Sequence, residues 1–159
     1  VTEPRLATPA DAEEIARLRS ENILSEPLDE AWLTMCADQL ALRLQDGGDA
    51  RAYVIDSPTG GLATCALGLV HAVLPAPKYP KGLAVRIHAV ATDPAHRRHG
   101  HAKAALTALL DHLERDGVTL YELYANAGSA PLYEGLGFAP DLALMRMTRF
   151  PAPAEGNAA

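Results

Sequence analysis

Hydrophobic and polar positions along the chain follow a helical rhythm in some stretches and a strand rhythm in others, and the switches mark out the elements. Behind Thr8, a residue type that caps helices, and Pro9, suited to a first helical turn, Ala12, Ile15 and Leu18 recur at helical spacing. This predicts a helix from about Pro9 to Asn22, with Glu13, Glu14 and Arg17 facing water. Trp32, Met35, Cys36, Leu40 and Leu44 repeat the spacing until Gly47 and Gly48 stop it, predicting a second helix with Trp32 in the core. The period then changes. "RAYVIDS" and "LATCALGLVHAVL", joined by a "PTGG" turn, read as a hairpin, and the strand "LAVRIHAVAT" follows the Pro-rich "PAPKYPKG". Alternation puts Arg86 and His88 on the face opposite Val85 and Ile87, unless a bulge intervenes.

From His101 to Asp116, Ala102, Ala105, Leu106, Leu109, Leu110 and Leu113 form one apolar stripe, which predicts a long amphipathic helix ended by Gly117. "VTLYELYA" reads as a strand, "SAPLYEGLGF" as a short helix closing at Gly137, and "LALMRMTRF" as a last strand. The order β-α-α-β-β-β-α-β-α-β holds one right-handed βαβ unit flanked by hairpins. The fold class is therefore α/β with a mixed sheet. Residues 1–150 are expected to form one domain, and "PAPAEGNAA", 151–159, a disordered tail.

Composition narrows the picture only a little. With 159 residues, 48% hydrophobic and 21% charged, the chain has the size and balance of one globular domain. It has no run with the apolar length of a membrane span, and its start lacks the basic and apolar blocks of a secretory signal. A cytoplasmic protein without a membrane partner is the expectation. A formal charge of −6 argues against a broad nucleic-acid footprint. Cys36 and Cys65, without metal-ligand spacing, read as buried thiols.

The candidate chemistry lies in "AHRRHGHAKAAL", residues 95–106, a basic turn running straight into the long helix. Consecutive backbone N–H groups and a positive helix end at the mouth of a sheet make an anion site, with Gly100 allowing close approach and Arg97 and Arg98 adding charge. An exposed helix start carrying two arginines has the same sequence appearance, and a small nucleic-acid binder using "HRRHGHAK" is a rival. A metal site on His96, His99 and His101 lacks an obvious carboxylate or cysteine beside it, so no metal is expected. Neither the three-glycine dinucleotide fingerprint nor a Gly-Lys-Ser/Thr phosphate loop is present.

Here the residues carry a resemblance. "VATDPAHRRHGHAKAAL" resembles the acyl-CoA signature of the GNAT N-acetyltransferase superfamily, with Arg97, Gly100 and Ala102 at its signature positions. "NAGSAPLYEGLGF" is similar to that family's downstream block, with Asn126, Leu132, Tyr133, Gly137 and Phe138 in place. Two matches in the right order, a helix and a strand apart, cover residues 84–140 and imply a GNAT-like acyl-CoA N-acyltransferase fold.

The resemblance also implies roles. Acetyl-CoA would be the cosubstrate, its pyrophosphate cradled by backbone groups of Arg98, His99, Gly100, His101 and Ala102, its pantetheine arm paired with Val90 and Thr92 and hydrogen-bonded by Asn126. Tyr133 would donate the proton to the departing thiolate; on its own sequence it reads first as a helix tyrosine packing beneath the last strand. His88 would take the amine proton, or is a hydrogen-bonded histidine of a sheet face. Arg86 would hold an anionic part of the acceptor or pair with a carboxylate. Asn126 is also a plausible turn or cap residue. The acceptor would be a small-molecule or peptide amine held by "NILSEPLDEAW" and "PAPKYPKG"; Glu21, Glu26, Asp29 and Glu30 around the first suit a cation, although an exposed acidic helix junction looks the same. A non-catalytic acyl-CoA-binding module is the alternative, and monomer and homodimer both stay open.

Overall fold

The computed structural model describes residues 3–151. Strand β1 (Arg5–Leu6) leads through a 3-10 turn, Pro9–Asp11, into helix α1 (Ala12–Asn22), followed by α2 (Glu30–Arg43). Strands β2 (Ala50–Asp56), β3 (Leu62–Ala72) and β4 (Leu83–Thr92) come next, then α3 (His101–Arg115), β5 (Leu120–Leu123) and α4 (Ala130–Gly135). The sheet order is β1-β2-β3-β4-β5, antiparallel except for the parallel β4–β5 pair that α3 connects. This is the mixed sheet expected from the alternating periods.

The predicted first helix begins as a 3-10 turn. Thr8 and Asp11 form a reciprocal capping box there, and Arg5 grips Asp11 through two hydrogen bonds of 2.9 and 2.8 Å. Glu14 and Arg17 depart from the expected watery face. Glu14 accepts the Leu62 amide at 2.9 Å, and Arg17 spans Glu14, Glu21 and Asp93, tying α1 to the end of β4.

Each face of the sheet has its own core. Ile15, Leu18 and Leu40 of α1 and α2 pack on Val54, Cys65, Leu67, Ala89 and Ala91. On the other face, Leu106, Leu109 and Leu113 of α3 cover Ala66, Val85 and Ile87. Burial pushes the Cys65 thiol up to about 12, so it stays protonated as a small apolar side chain.

Three expectations fail in instructive ways. Trp32 is 56% exposed and Met35 49%, because only Ala37 and Leu40 of α2 are buried against α1 and the sheet. Cys36 is half-buried beside Arg19 and is no core thiol. The last strand is absent: 142–150 makes no ladder, and Leu142, Met145 and Phe150 are almost fully exposed. β5 offers it only the short edge Leu120–Leu123 as a partner. Arg146 instead lies 3.9 Å over the Tyr124 ring. The tail expected to be disordered falls, apart from exposed Pro151, on 152–159, outside the described residues.

Candidate active site

The basic turn has the backbone of an anion cradle. Arg98 (φ 67°) and Gly100 (φ 74°) both take the left-handed conformation, which bends successive amides toward one side before α3 starts at His101. Among the described residues, no main-chain or side-chain acceptor claims the amides of Arg98, His99, Gly100, His101 or Ala102. They stand at the positive end of a helix. A methyl group added at Gly100 would meet nothing within 4 Å, so the hollow in front of the turn is open.

The side chains around it are less committed to an anion than their charges suggest. Arg97 turns back to Asn22 Oδ1 at 3.0 Å, joining the turn to α1. His96 Nε2 sits 3.0 Å from Ser57 Oγ, and the His99 and His101 rings stack tilted at 5.7 Å. Partial burial, then His99 and His96, lower the His101 pKa, which keeps that ring neutral at pH 7. Among the described residues, the main-chain amides from Arg98 to Ala102 and the Arg98 side chain are left without a hydrogen-bond or ion-pair partner.

Strand β4 runs from a closed sheet into an open slot. It pairs with β5 from Ala84 to Ile87 and no further, while its pairing with β3 continues to Thr92. The Asp93 amide donates to Ala63 of β3 at 2.8 Å, so strand alternation points the main-chain groups of Thr92 and Val90 to the other edge, where β5 has ended. The slot leads to the basic turn.

At the head of the slot the register shifts: Leu67 faces Ala89 and Gly68 faces Ile87, leaving His88 as the extra residue of a β-bulge. The bulge leaves Arg86 and His88 on the α1–α2 face. His88 lines a cavity of about 230 Å³ there, together with Ile15, Arg19, Gln39, Arg43 and Leu67. Burial, then Arg19, Arg86 and Arg43, depress the His88 pKa, with Asp49 opposing them. A neutral imidazole at pH 7 follows. Arg86 carries a buried Nε without a hydrogen-bond partner and lies 4.6 Å over the Tyr124 ring.

Tyr133 lies on the opposite face. It is 8% exposed within the α3 core, edge-on to Phe138 at 6.1 Å, and burial raises its pKa against a smaller opposing effect of Ser129. The phenol therefore keeps its proton at neutral pH. Asn126 caps the turn into α4, its Oδ1 accepting from Ser129 N at 2.9 Å and Ser129 Oγ at 3.0 Å. Two of the four acidic residues expected near the acceptor are engaged elsewhere, Asp29 capping α2 at the Trp32 amide and Glu21 pairing with Arg17, while Glu26 and Glu30 are exposed to solvent. The cationic lining was missed in the sequence, although Arg19 follows Ile15 at i+4 and so shares its inward face. Among the described residues, no three His, Cys, Asp or Glu side chains gather around a metal-sized point, and no helix is long and apolar enough to cross a membrane.

Known proteins resemble this chain in sequence and in fold. Residues 18–138 match the Acetyltransferase (GNAT) family. A mycothiol acetyltransferase from Brachybacterium faecium is 47% identical over 55 residues, covering 33% of this chain and 17% of the relative, so the chain spans only a small part of that protein's length. Among solved structures, a GCN5-related N-acetyltransferase from Ralstonia eutropha JMP134 superposes with a TM-score of 0.76 at 24% identity, covering 93% of this chain and 99% of that one. A predicted acetyltransferase with acetyl-CoA from Clostridium acetobutylicum gives 0.79 at 15% identity, with 93% and 96% covered. These last two likenesses concern the fold. The match over most of the chain, on a mixed sheet that opens beside an amide-lined turn, makes this protein a member of the GNAT acetyltransferase family.

Proposed function

We propose that this protein moves an acetyl group from acetyl-CoA to a primary amine of a small molecule or peptide by direct attack, with no covalent enzyme intermediate. One observation carries the reading: β4 leaves β5 after Ile87 and runs, its outer edge unpaired, into a turn of unclaimed amides. An extended amide-bearing arm ending in a pyrophosphate fits that edge and that turn, and the open hollow at Gly100 leaves room for the phosphates.

When bound, acetyl-CoA supplies a thioester whose C–S bond is exchanged for a C–N bond to the acceptor. The amides from Arg98 to Ala102 hold the diphosphate, and Val90 and Thr92 hold the arm by main-chain hydrogen bonds. Asn126 has its amide nitrogen left for the arm while its oxygen caps α4. His88, neutral at pH 7, takes the proton that the amine loses as the C–N bond forms. Tyr133, protonated, gives its proton to the sulfur as the C–S bond breaks. Base and acid stand on opposite faces of the sheet, so the reacting carbon belongs in the slot between β4 and β5.

Thiol release from acetyl-CoA across amino acids, polyamines, aminosugars, arylalkylamines and peptide N-termini tests the proposal. Wild type should turn over with at least one class, and Tyr133→Phe should lose about a hundredfold or more in kcat with acetyl-CoA still raising Tm. A raised Tm without thiol release from any amine would identify a non-catalytic acyl-CoA-binding module. Salt-sensitive binding of DNA or RNA with no acetyl-CoA effect would point to the nucleic-acid reading.

A further inference from the structure

In a chain of net charge −6, Arg19 of α1 and Arg43 of α2 line the cavity beside the His88 imidazole, and Arg86, two residues before His88 on β4, adds a third positive charge to its surroundings. Two of them have company. Arg43 gives Asp49 two hydrogen bonds of 2.7 and 2.6 Å, and Arg86 lies against Tyr124 with the Glu122 carboxylate 3.9 Å away. Arg19 differs. Its one side-chain hydrogen bond is a long contact of 3.7 Å from Nη1 to Cys36 Sγ, and among the described residues no carboxylate stands at salt-bridge distance from it.

Arg19 is half-buried and lines the cavity that His88 also lines, together with Gln39 and the apolar Leu67 and Leu69. A guanidinium in such a place has lost hydration without gaining an anion, and a planar two-oxygen anion recovers that loss best, because it matches the guanidinium fork. The volume, about 230 Å³, suits a small molecule and is too small for a coenzyme. Its walls are mainly hydrocarbon.

We infer that this cavity is the acceptor pocket and that Arg19 receives the carboxylate of a small amino acid, whose apolar side chain rests on Leu67 and Leu69 and whose amine faces His88. The term acceptor rests on the acetyl-transfer reading; the carboxylate site at Arg19 does not. The sequence offered two readings, acidic residues around a cationic acceptor and Arg86 holding an anionic part of it; Glu21 and Asp29 are engaged with Arg17 and the α2 cap, and Arg86 lies against Tyr124 and Glu122.

Calorimetric binding of N-acetyl-leucine and its carboxamide, neither of which can be acetylated again at nitrogen, reads the site without turnover. The acid should bind at least tenfold tighter than the amide. Arg19→Gln should cut that ratio to near one, and Arg19→Lys should restore part of it. Circular dichroism melting of each variant separates a lost site from a lost fold, and the Lys variant keeps the test open if Gln unfolds. Equal binding of acid and amide, binding of neither, tighter binding of the phosphonate analogue, or a preference that survives Arg19→Gln overturns the inference. Loss of the acetyl-CoA effect on Tm with the acid preference intact would remove the acetyltransferase reading and leave the carboxylate site standing.

Discussion

The hydroxyl of Thr64 lies 2.8 Å from that of Thr92 and donates to the Ala91 carbonyl at 2.8 Å, stitching the last residues of β4 to β3 where β5 no longer supports them. With the Thr64 proton given to Ala91, the Thr92 hydroxyl must donate to Thr64. Thr92 therefore turns its side chain to the core and keeps only its main chain for the slot. Thr64 is fully buried, so Thr64→Val should leave the Thr92 hydroxyl without its partner and cost about 1 to 3 kcal/mol. The midpoint of urea unfolding measures it. An unchanged midpoint would mean that the two hydroxyls do not hold this end of the strand.

Gly100 and Gly135 make a matched pair, since a methyl group added at either meets nothing within 4 Å, yet only Gly100 has a left-handed backbone. Gly135→Ala, in α4, should be neutral or gain roughly 0.5 to 1 kcal/mol from better helix propensity. Gly100→Ala should cost about 1 kcal/mol of strain and, because its methyl enters the hollow before the turn, weaken acetyl-CoA about tenfold or more. Equal acetyl-CoA affinities in the two variants would place the phosphates elsewhere.

The sequence revealed what repeats and what is locally signalled. The α3 stripe of Ala105, Leu106, Leu109 and Leu113 is fully buried as its spacing requires, and the hairpin, the basic turn and the Thr8 cap stand where their residues put them. What it concealed depends on pairing between distant segments. The β-bulge at His88 arises from a register against Leu67 and Gly68 that no local pattern encodes. Trp32 and Met35 had the right spacing for a core, but how α2 rolls against α1 decides which of its residues are covered. The strand expected at 142–150 is missing beside a partner, β5, that is short, Leu120–Leu123, and the length of that edge is set by pairing with β4 rather than by any local pattern. Arg19 escaped notice because its importance comes from having no partner, which is a property of the folded surroundings.

The charges around His88 set a pH dependence with a definite sign. Arg19 from α1, Arg43 from α2 and Arg86 on β4 all disfavour the imidazolium beyond what burial does, and only Asp49, itself held by Arg43, favours it. The His88 resonance, identified among six histidines by its loss in His88→Gln, should therefore titrate below 6.5 in NMR. Arg19→Gln removes a cation and should move that midpoint upward, while Asp49→Asn removes the opposing carboxylate and should move it further down. For catalysis the consequence is that the base is available across the neutral range and is lost only in acid, so His88→Gln should lower kcat about a hundredfold or more at pH 7. A midpoint at or above 6.5, or a kcat indifferent to His88→Gln, would reduce this residue to the shaping of the bulge and leave proton removal to water in the slot.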